Sequence, residues 1–356
     1  MSDLHSRRAG SETTALPPGP LPAQGRLAQV DKFTVVERSY SADPRLPSVG
    51  LANIHALVPG IEENKAKVVR AARVFKERGA NMAIFPEFCL TGYFWDDEPA
   101  CWDYMRRGCT QEHIEWIDRE LRPLLDDQFR VIVLNNLSRG SGDEGKFRNL
   151  TFIISAEETT DAALQPERSY AKVFLPGIEK TYTESGRDDR LTIESPHGHG
   201  RVGFLTCYDY LFPNLLREYA MIDHVDVLVE IASWRAASTR DYPGMNVRTD
   251  LYYGGLWDGV IAASSAVNQV WTLACNAVGR HGITDAAFWG GSGIWAPSGL
   301  CLLQASRVNE ELLIVHNLDI VGARTTEQGD FDYTFDFNEI YRPMGDGHSF
   351  TRVVDY

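Results

Sequence analysis

Residues 201–231 read RVGFLTCYDYLFPNLLREYAMIDHVDVLVEI, and the order of patterns inside this stretch decides the fold class. Arg201–Thr206 is a short apolar, β-rich run that reads as a buried strand. Pro213 suits the first position of a helix, where its missing N–H removes no hydrogen bond. Leu215, Leu216, Tyr219 and Ile222 then fall on one helical face. Val225–Ile231 is again apolar and short. A strand, a helix and a second strand in succession call for a sheet with helices laid against it.

The alternation continues in both directions. Upstream, Val49–Ala56 reads as a strand, and Ile61–Arg78 as a helix with Ile61, Val68, Val69, Ala72 and Phe75 on one face. Gly79 stops that helix, and Met82–Phe85 is the next short strand. Ile114, Ile117 and Leu121 mark another helix, followed by strands at Arg130–Leu134, Leu150–Ser155 and Ser169–Phe174. Downstream, Gly255–Val267 reads as a helix, with strands at Val270–Asn276, Gly293–Ala296, Leu300–Gln304 and Leu312–Asn317. Neither linker nor repeat interrupts residues 31–356, so a single domain with a C-terminal extension is expected. Residues 1–30 carry Pro17, Pro18, Pro20 and Pro22 and few large apolar side chains, the composition of a disordered or loosely draped arm.

Composition narrows the function. The 356 residues are 44% hydrophobic and 24% charged, an ordinary globular balance. Lys and Arg total 35 against 49 Asp and Glu, a formal charge of −14, which repels nucleic-acid phosphates and anionic lipid. Six scattered cysteines without a CxxC pair argue against a disulfide scaffold and a structural zinc. No stretch reaches the roughly 18 apolar residues of a membrane span, and the N-terminus lacks an apolar signal core. The expectation is a cytoplasmic protein that acts on a small molecule, without metal or cofactor. His197-Gly-His199 and the GGSG run at 290–293 fit a solvated turn and close backbone packing better than a metal or phosphate site.

Three potentially reactive groups stand at or near expected strand ends: Glu87 in AIFPEFCLTGYF, Lys172 in RSYAKVFLPG and Cys207 in RVGFLTCYDYLFPN. Singly, each has an ordinary reading, as a loop carboxylate, a surface cation and a buried small thiol. Together they suit nucleophilic catalysis. A thiol near pKa 8.5 is largely protonated at neutral pH, a carboxylate can take its proton, and an ammonium can hold the oxyanion that follows. The strand–turn–helix setting of Cys207 is also one that exposes a nucleophile and aims the next backbone N–H, that of Tyr208, at the oxyanion. Tyr93, Phe94 and Trp95 follow the Glu87 segment, and Trp234 with Arg235 follows the Val225–Ile231 strand. Ligands of α/β proteins gather beyond strand ends, which makes Tyr93, Trp95, Trp234 and Arg235 candidate substrate contacts.

Several segments in one order resemble the nitrilase superfamily of carbon–nitrogen hydrolases over about residues 48–305. They are EENKAKVVRAARVFKERGANMAIFPEFCLTGY, YAKVFLPG with the later EKTYTESG, GRVGFLTCYDYLFP and FWGGSGIWAPSGL. The resemblance implies a four-layer αββα sandwich and association into a homodimer or larger homo-oligomer. It maps Glu87, Lys172 and Cys207 onto the family's general base, oxyanion-stabilising lysine and nucleophile, and Glu179 onto a second pocket glutamate. Cys207-Tyr208-Asp209 is similar to the amidase and ω-amidase branches and FWGGSGIWAPSGL to the N-carbamoyl-amidase branch, which implies hydrolysis of an amide or carbamoyl C–N bond through a cysteine thioester. Asn214 departs from a common family glutamate, and DFDYTFDFNEIYRP at 330–343 matches no subgroup. Nitrile hydrolysis, acyl transfer to an amine and a non-catalytic scaffold are the competing readings.

Overall fold

The computed structural model describes residues 24–93, 99–140, 145–186, 190–245 and 247–345. In chain order the strands of the first half are β1 (Gln24–Val30), β2 (Phe33–Ser39), β3 (Val49–Asn53), β4 (Met82–Ile84), β5 (Val131–Arg139), β6 (Phe147–Ser155) and β7 (Ser169–Ala171). The second half holds β8 (Thr192–Glu194), β9 (Arg201–Thr206), β10 (Val227–Ala232), β11 (Arg240–Tyr242), β12 (Val247–Thr249) and β13 (Trp271–Asn276). It continues with β14 (Val278–Arg280), β15 (Ala287–Trp289), β16 (Gly293–Trp295), β17 (Cys301–Gln304) and β18 (Glu311–His316).

These strands build two sheets. The first runs β1-β2-β18-β3-β4-β5-β6-β7 and the second β17-β16-β13-β10-β9-β8, with β11-β12 and β14-β15 as separate hairpins. The last strand, β18, inserts between β2 and β3, so the C-terminal part of the domain closes the first sheet.

Strand alternation makes the layers. In β10, Val227, Val229 and Ile231 join Leu51, Ile84, Val133, Phe204 and Leu273 in one apolar cluster between the sheets. Leu228 and Ala232 point the other way, to a cluster with Leu216, Tyr219, Trp257 and Ile261 of the helices Pro213–Met221 and Tyr252–Asn268. On the outer face of the first sheet, Ala52, Ala83, Ile132 and Leu134 pack on Val68, Ala72 and Phe75 of the helix Ile61–Glu77. The result is helix, sheet, sheet, helix: the expected αββα sandwich. Each fully buried Leu, Ile, Val or Phe contributes about 1.5–3 kcal/mol, so the three apolar clusters between these four layers dominate the stability.

Two glycines set how closely the helices approach. A Cβ on Gly50 would lie 2.4 Å from the Phe75 ring, and one on Gly203 would lie 2.7 Å from the Tyr219 ring. Each sheet thus receives an aromatic ring of its covering helix in a glycine notch.

The stretch 24–30 corrects the expected N-terminal arm. It forms β1, paired antiparallel along its whole length with β2. Its side chains are mostly exposed, Leu27 among them, so the strand is held by its backbone ladder rather than by burial. Apolar composition could not reveal that. Residues 1–23 lie outside the described residues. The C-terminal extension packs across the second helical layer. There Asn338 donates to Met221 O (2.9 Å), Gln269 donates to Phe331 O (2.6 Å), and Arg217 lies over the Phe337 ring.

Candidate active site

The first sheet supplies a buried polar floor. Beyond β4 the chain turns through Phe88, which has a left-handed φ of 51°. Asn135 of β5 supports this turn, its Oδ1 accepting the Phe88 N–H at 2.9 Å. The turn carries Glu87 inward, fully buried. Glu87 Oε1 accepts from Lys172 Nζ (2.9 Å) and Asn149 Nδ2 (2.7 Å), while Oε2 accepts the Ser233 N–H (2.7 Å). Ser233 Oγ also donates to Glu87 O (2.9 Å), which stitches the Glu87 segment to the end of β10.

Lys172 follows β7 directly and is buried with it. Its ammonium bridges two carboxylates, donating to Glu87 Oε1 and to Glu179 Oε1. Glu179 begins the short helix Glu179–Tyr182. It also accepts from the Tyr93 hydroxyl (2.6 Å) and from Asn149 Nδ2 (3.3 Å). Burial alone would strip Lys172 of its charge, but Glu179 and Glu87 override it and hold the amine well above its usual pKa. Glu179 is itself pushed up, by burial and by Glu87, against the pull of Lys172. Two carboxylates around one ammonium titrate as a unit.

The second sheet supplies the sulfur. Cys207 is the first residue after β9, and its φ of 54° puts it in the left-handed region that non-glycine residues rarely adopt. The turn behind it is capped by Asp209, whose carboxylate accepts from Thr206 N–H (3.2 Å), Tyr170 OH (2.7 Å) and Phe174 N–H (2.7 Å). Tyr170 and Phe174 flank Lys172 in sequence, so Asp209 ties the turn of the sulfur to the segment of the ammonium. Burial raises Asp209 to about 7 in spite of these donors. An aromatic stack makes the same link: the Tyr208 ring meets Phe212 edge-on, and Phe212 lies flat on Phe174.

Cys207 is electrostatically coupled to Glu87, Lys172, Glu230 and Glu179. Burial and the Glu87 charge push its thiol well above the usual value, with Lys172 pulling the other way. Cys207 is buried as they are, with a relative exposure of 9% against 0–1% for Glu87, Lys172 and Glu179. An open depression of about 700 Å³ lined by Arg26, Glu37, Arg38, Arg78 and His316 shares none of these residues. Among the described residues no group of three or more His, Cys, Asp or Glu side chains is placed to hold a metal ion.

A family comparison places this architecture. Residues 48–328 match the carbon-nitrogen hydrolase family. The chain belongs to that family. A carbon-nitrogen hydrolase from Helicobacter pylori G27 shares the fold with a TM-score of 0.67 at 16% identity, over 85% of this chain and 99% of that one. A mutant of an amidase from Nesterenkonia, solved with acrylamide added to its active-site cysteine, superposes with a TM-score of 0.57 at 20% identity, over 80% of this chain and 98% of that one. A curated nitrilase of Penicillium rubens is 26% identical over 178 residues, 47% of this chain and 49% of the nitrilase. The chain spans about half the length of the curated relatives it matches. The identities to the solved structures establish a common fold of this carbon-nitrogen hydrolase, not a common substrate.

Among the expected site residues, Lys172 contacts both Glu87 and Glu179, and Cys207, with Tyr208 next in its turn, lies within electrostatic range of all three. The expected substrate contacts divide. Tyr93 is buried and belongs to the polar floor through Glu179. Trp234 is also buried: its indole N–H donates to Tyr253 O (2.8 Å), and its ring packs edge-on against Trp257, so it anchors the helix Tyr252–Asn268. Arg235 is exposed and bridges to Phe288 through its backbone. Trp95 lies outside the described residues. Sequence reading missed Asn135, Asn149, Ser233 and Glu230. A usable signal existed for three of these: VIVLNNL, FRNLTFII and VLVEIA each set a polar residue inside an apolar strand, where an unpartnered polar group is costly.

The GGSG run behaves as close packing. A Cβ on Gly290 would lie 2.8 Å from Ser306 O, and Ser292 Oγ donates to Asn53 Oδ1 (2.9 Å).

Proposed function

We propose that this carbon-nitrogen hydrolase cleaves an amide or N-carbamoyl C–N bond through a thioester on Cys207. The observation that carries this reading is the buried Glu87–Lys172–Glu179 cluster in electrostatic range of Cys207, since perturbed buried charges of this kind concentrate at functional sites. Glu87 Oε1 accepts two hydrogen bonds and Oε2 one, which leaves a lone pair on Oε2 to receive a proton. Because the thiol rests protonated, attack is coupled to proton transfer. Glu87 takes the thiol proton as Cys207 Sγ bonds to the carbonyl carbon. Lys172 and the Tyr208 N–H stabilise the oxyanion, a donor of this kind being worth about 3–4 kcal/mol.

Collapse breaks the C–N bond, and the proton on Glu87 goes to the departing ammonia or amine. Water then attacks the thioester carbon and gives its proton to Glu87. The acid leaves, and the proton returns to the sulfur. Glu179, bound to Lys172 and Tyr93, fixes the ammonium so that its remaining donor can face the oxyanion.

Cys-Tyr-Asp at the nucleophile supports an amide or carbamoyl substrate, whereas the curated relatives, a nitrilase and a probable nitrilase, support a nitrile as the second reading. A panel of amides, N-carbamoyl compounds and nitriles, followed by ammonia release, separates them. The amide reading expects turnover of amides or carbamoyl compounds and none of nitriles. Nitrile-only turnover would replace it. Arg235, exposed beyond β10, makes carboxylate-bearing amides the members of that panel to try first.

A further inference from the structure

Glu230 lies inside β10, in register between Leu205 of β9 and Ala274 of β13. Alternation sends Val229 and Ile231 between the sheets, and puts Glu230 on the helix-covered face with Leu228, Ala232, Leu205 and Cys207. The residue is fully buried, and neither carboxyl oxygen has a hydrogen-bond partner. An orphan of this kind costs roughly 1–3 kcal/mol, and an aliphatic residue in a strand reading VLVEIA would avoid it. Its surroundings belong to the candidate site. The Cys207 backbone N–H lies beside the carboxyl, outside hydrogen-bonding geometry. Asp209 and Tyr210 of the same turn and Glu87 and Lys172 of the polar floor are its ionisable neighbours. Burial, reinforced by Asp209 and Glu87, holds Glu230 well above the usual carboxylate range, and either protonation state keeps a carboxyl oxygen able to accept a hydrogen bond.

Cys207 needs such an acceptor. Its left-handed backbone costs a non-glycine residue on the order of 1–3 kcal/mol and persists only where the surroundings enforce it. We propose that Glu230 is a positioning residue for the nucleophile: its carboxyl oxygen takes the Cys207 N–H as the turn closes on substrate, and so fixes the backbone that aims the sulfur at the carbonyl carbon. The inference rests on Cys207 being the nucleophile, and its test is built to fail separately from that reading.

The experiment compares wild type, Glu230→Gln and Glu230→Leu for kcat, KM, melting temperature and the rate at which iodoacetamide alkylates Cys207. Glutamine keeps the acceptor and leucine removes it. The expected result is a Glu230→Gln variant within about threefold of wild type, and a Glu230→Leu variant that melts no lower yet loses about 30-fold or more in kcat at nearly unchanged KM, the scale of a misplaced reacting group. The alkylation rate of Cys207 should change in Glu230→Leu and not in Glu230→Gln. A folded Glu230→Leu variant with wild-type kcat and alkylation rate overturns the proposal, as does a folded Glu230→Gln variant as impaired as the leucine one. If wild type turns over no amide, carbamoyl compound or nitrile, the functional reading fails, and alkylation alone still decides whether Glu230 positions the sulfur.

Discussion

The two sheets bring opposite kinds of chemistry to the candidate site. From the first come Glu87, Lys172, Glu179, Asn149 and Asn135, a network in which each side chain holds another by a hydrogen bond and which is buried throughout. From the second come Cys207, on left-handed backbone, and Glu230, a carboxyl with no partner. One half is preorganised by satisfaction and the other is held under strain. A proton acceptor and an oxyanion donor work best where nothing moves, whereas a nucleophile must be aimed, which a sharp, strained turn does. The halves are joined by Ser233 to Glu87 and by Asp209 to the Lys172 segment. Disturbing either half should therefore show whether they act as one.

The largest effect is expected from Lys172→Met, which leaves Glu87 and Glu179 facing each other without their shared cation. Loss of one partner of a buried pair costs about 3–5 kcal/mol, and turnover should vanish together with that stability in urea titrations and rate assays. A Lys172→Met enzyme of wild-type stability would show that the floor is not a charged network. Next comes Glu87→Gln, expected to lower kcat by about 10³-fold or more while the protein stays folded, since the amide keeps the shape and loses the base. Asn149→Leu removes one donor from both carboxylates. It should cost about 1–3 kcal/mol of stability and a smaller share of kcat, read by thermal melting and steady-state kinetics.

The smallest effect on turnover concerns the joint, through Asp209. Its pKa of about 7 lies above the ordinary carboxylate value of 3.8, so the folded state binds the proton more tightly than the unfolded chain. The stability this group contributes is thus fully present at low pH and is lost as pH rises through about 7. Urea midpoints of wild type and Asp209→Asn should converge in that direction, wild type losing its relative advantage between about pH 4 and about pH 8. Parallel curves would mean that Asp209 is ionised in the fold throughout.

The fold was legible in the sequence because its signals are local. Apolar alternation in Val225–Ile231 and the one-faced pattern in Ile61–Arg78 mark burial directly, and the β10 strand and the Ile61–Glu77 helix appear where those patterns stand. The edge strand β1 was not legible, since backbone pairing with β2 leaves no apolar trace. In the site, Glu87, Lys172, Glu179 and Cys207 could be named from motif order, but their partners could not. Asn149 reaches Glu87 across 62 positions, and Ser233 reaches it across 146, so only the folded sheets bring them together. The surroundings of Trp234 were hidden for a related reason: a Trp beyond a strand end can face the ligand or the helix above, and the bond to Tyr253 O ties this one to the helix.

The most direct test is the intact mass of the enzyme quenched during turnover of an amide, with peptide mapping of any added mass. Acrylamide, found as a Michael adduct on the active-site cysteine of a mutant of the Nesterenkonia amidase, is the second covalent probe to try. The expected result is an acyl group on Cys207 in wild type, and neither adduct nor turnover in a folded Cys207→Ala variant. Turnover by Cys207→Ala, or an acyl group carried by Cys89, Cys101, Cys109, Cys275 or Cys301 instead, would contradict the thioester at Cys207.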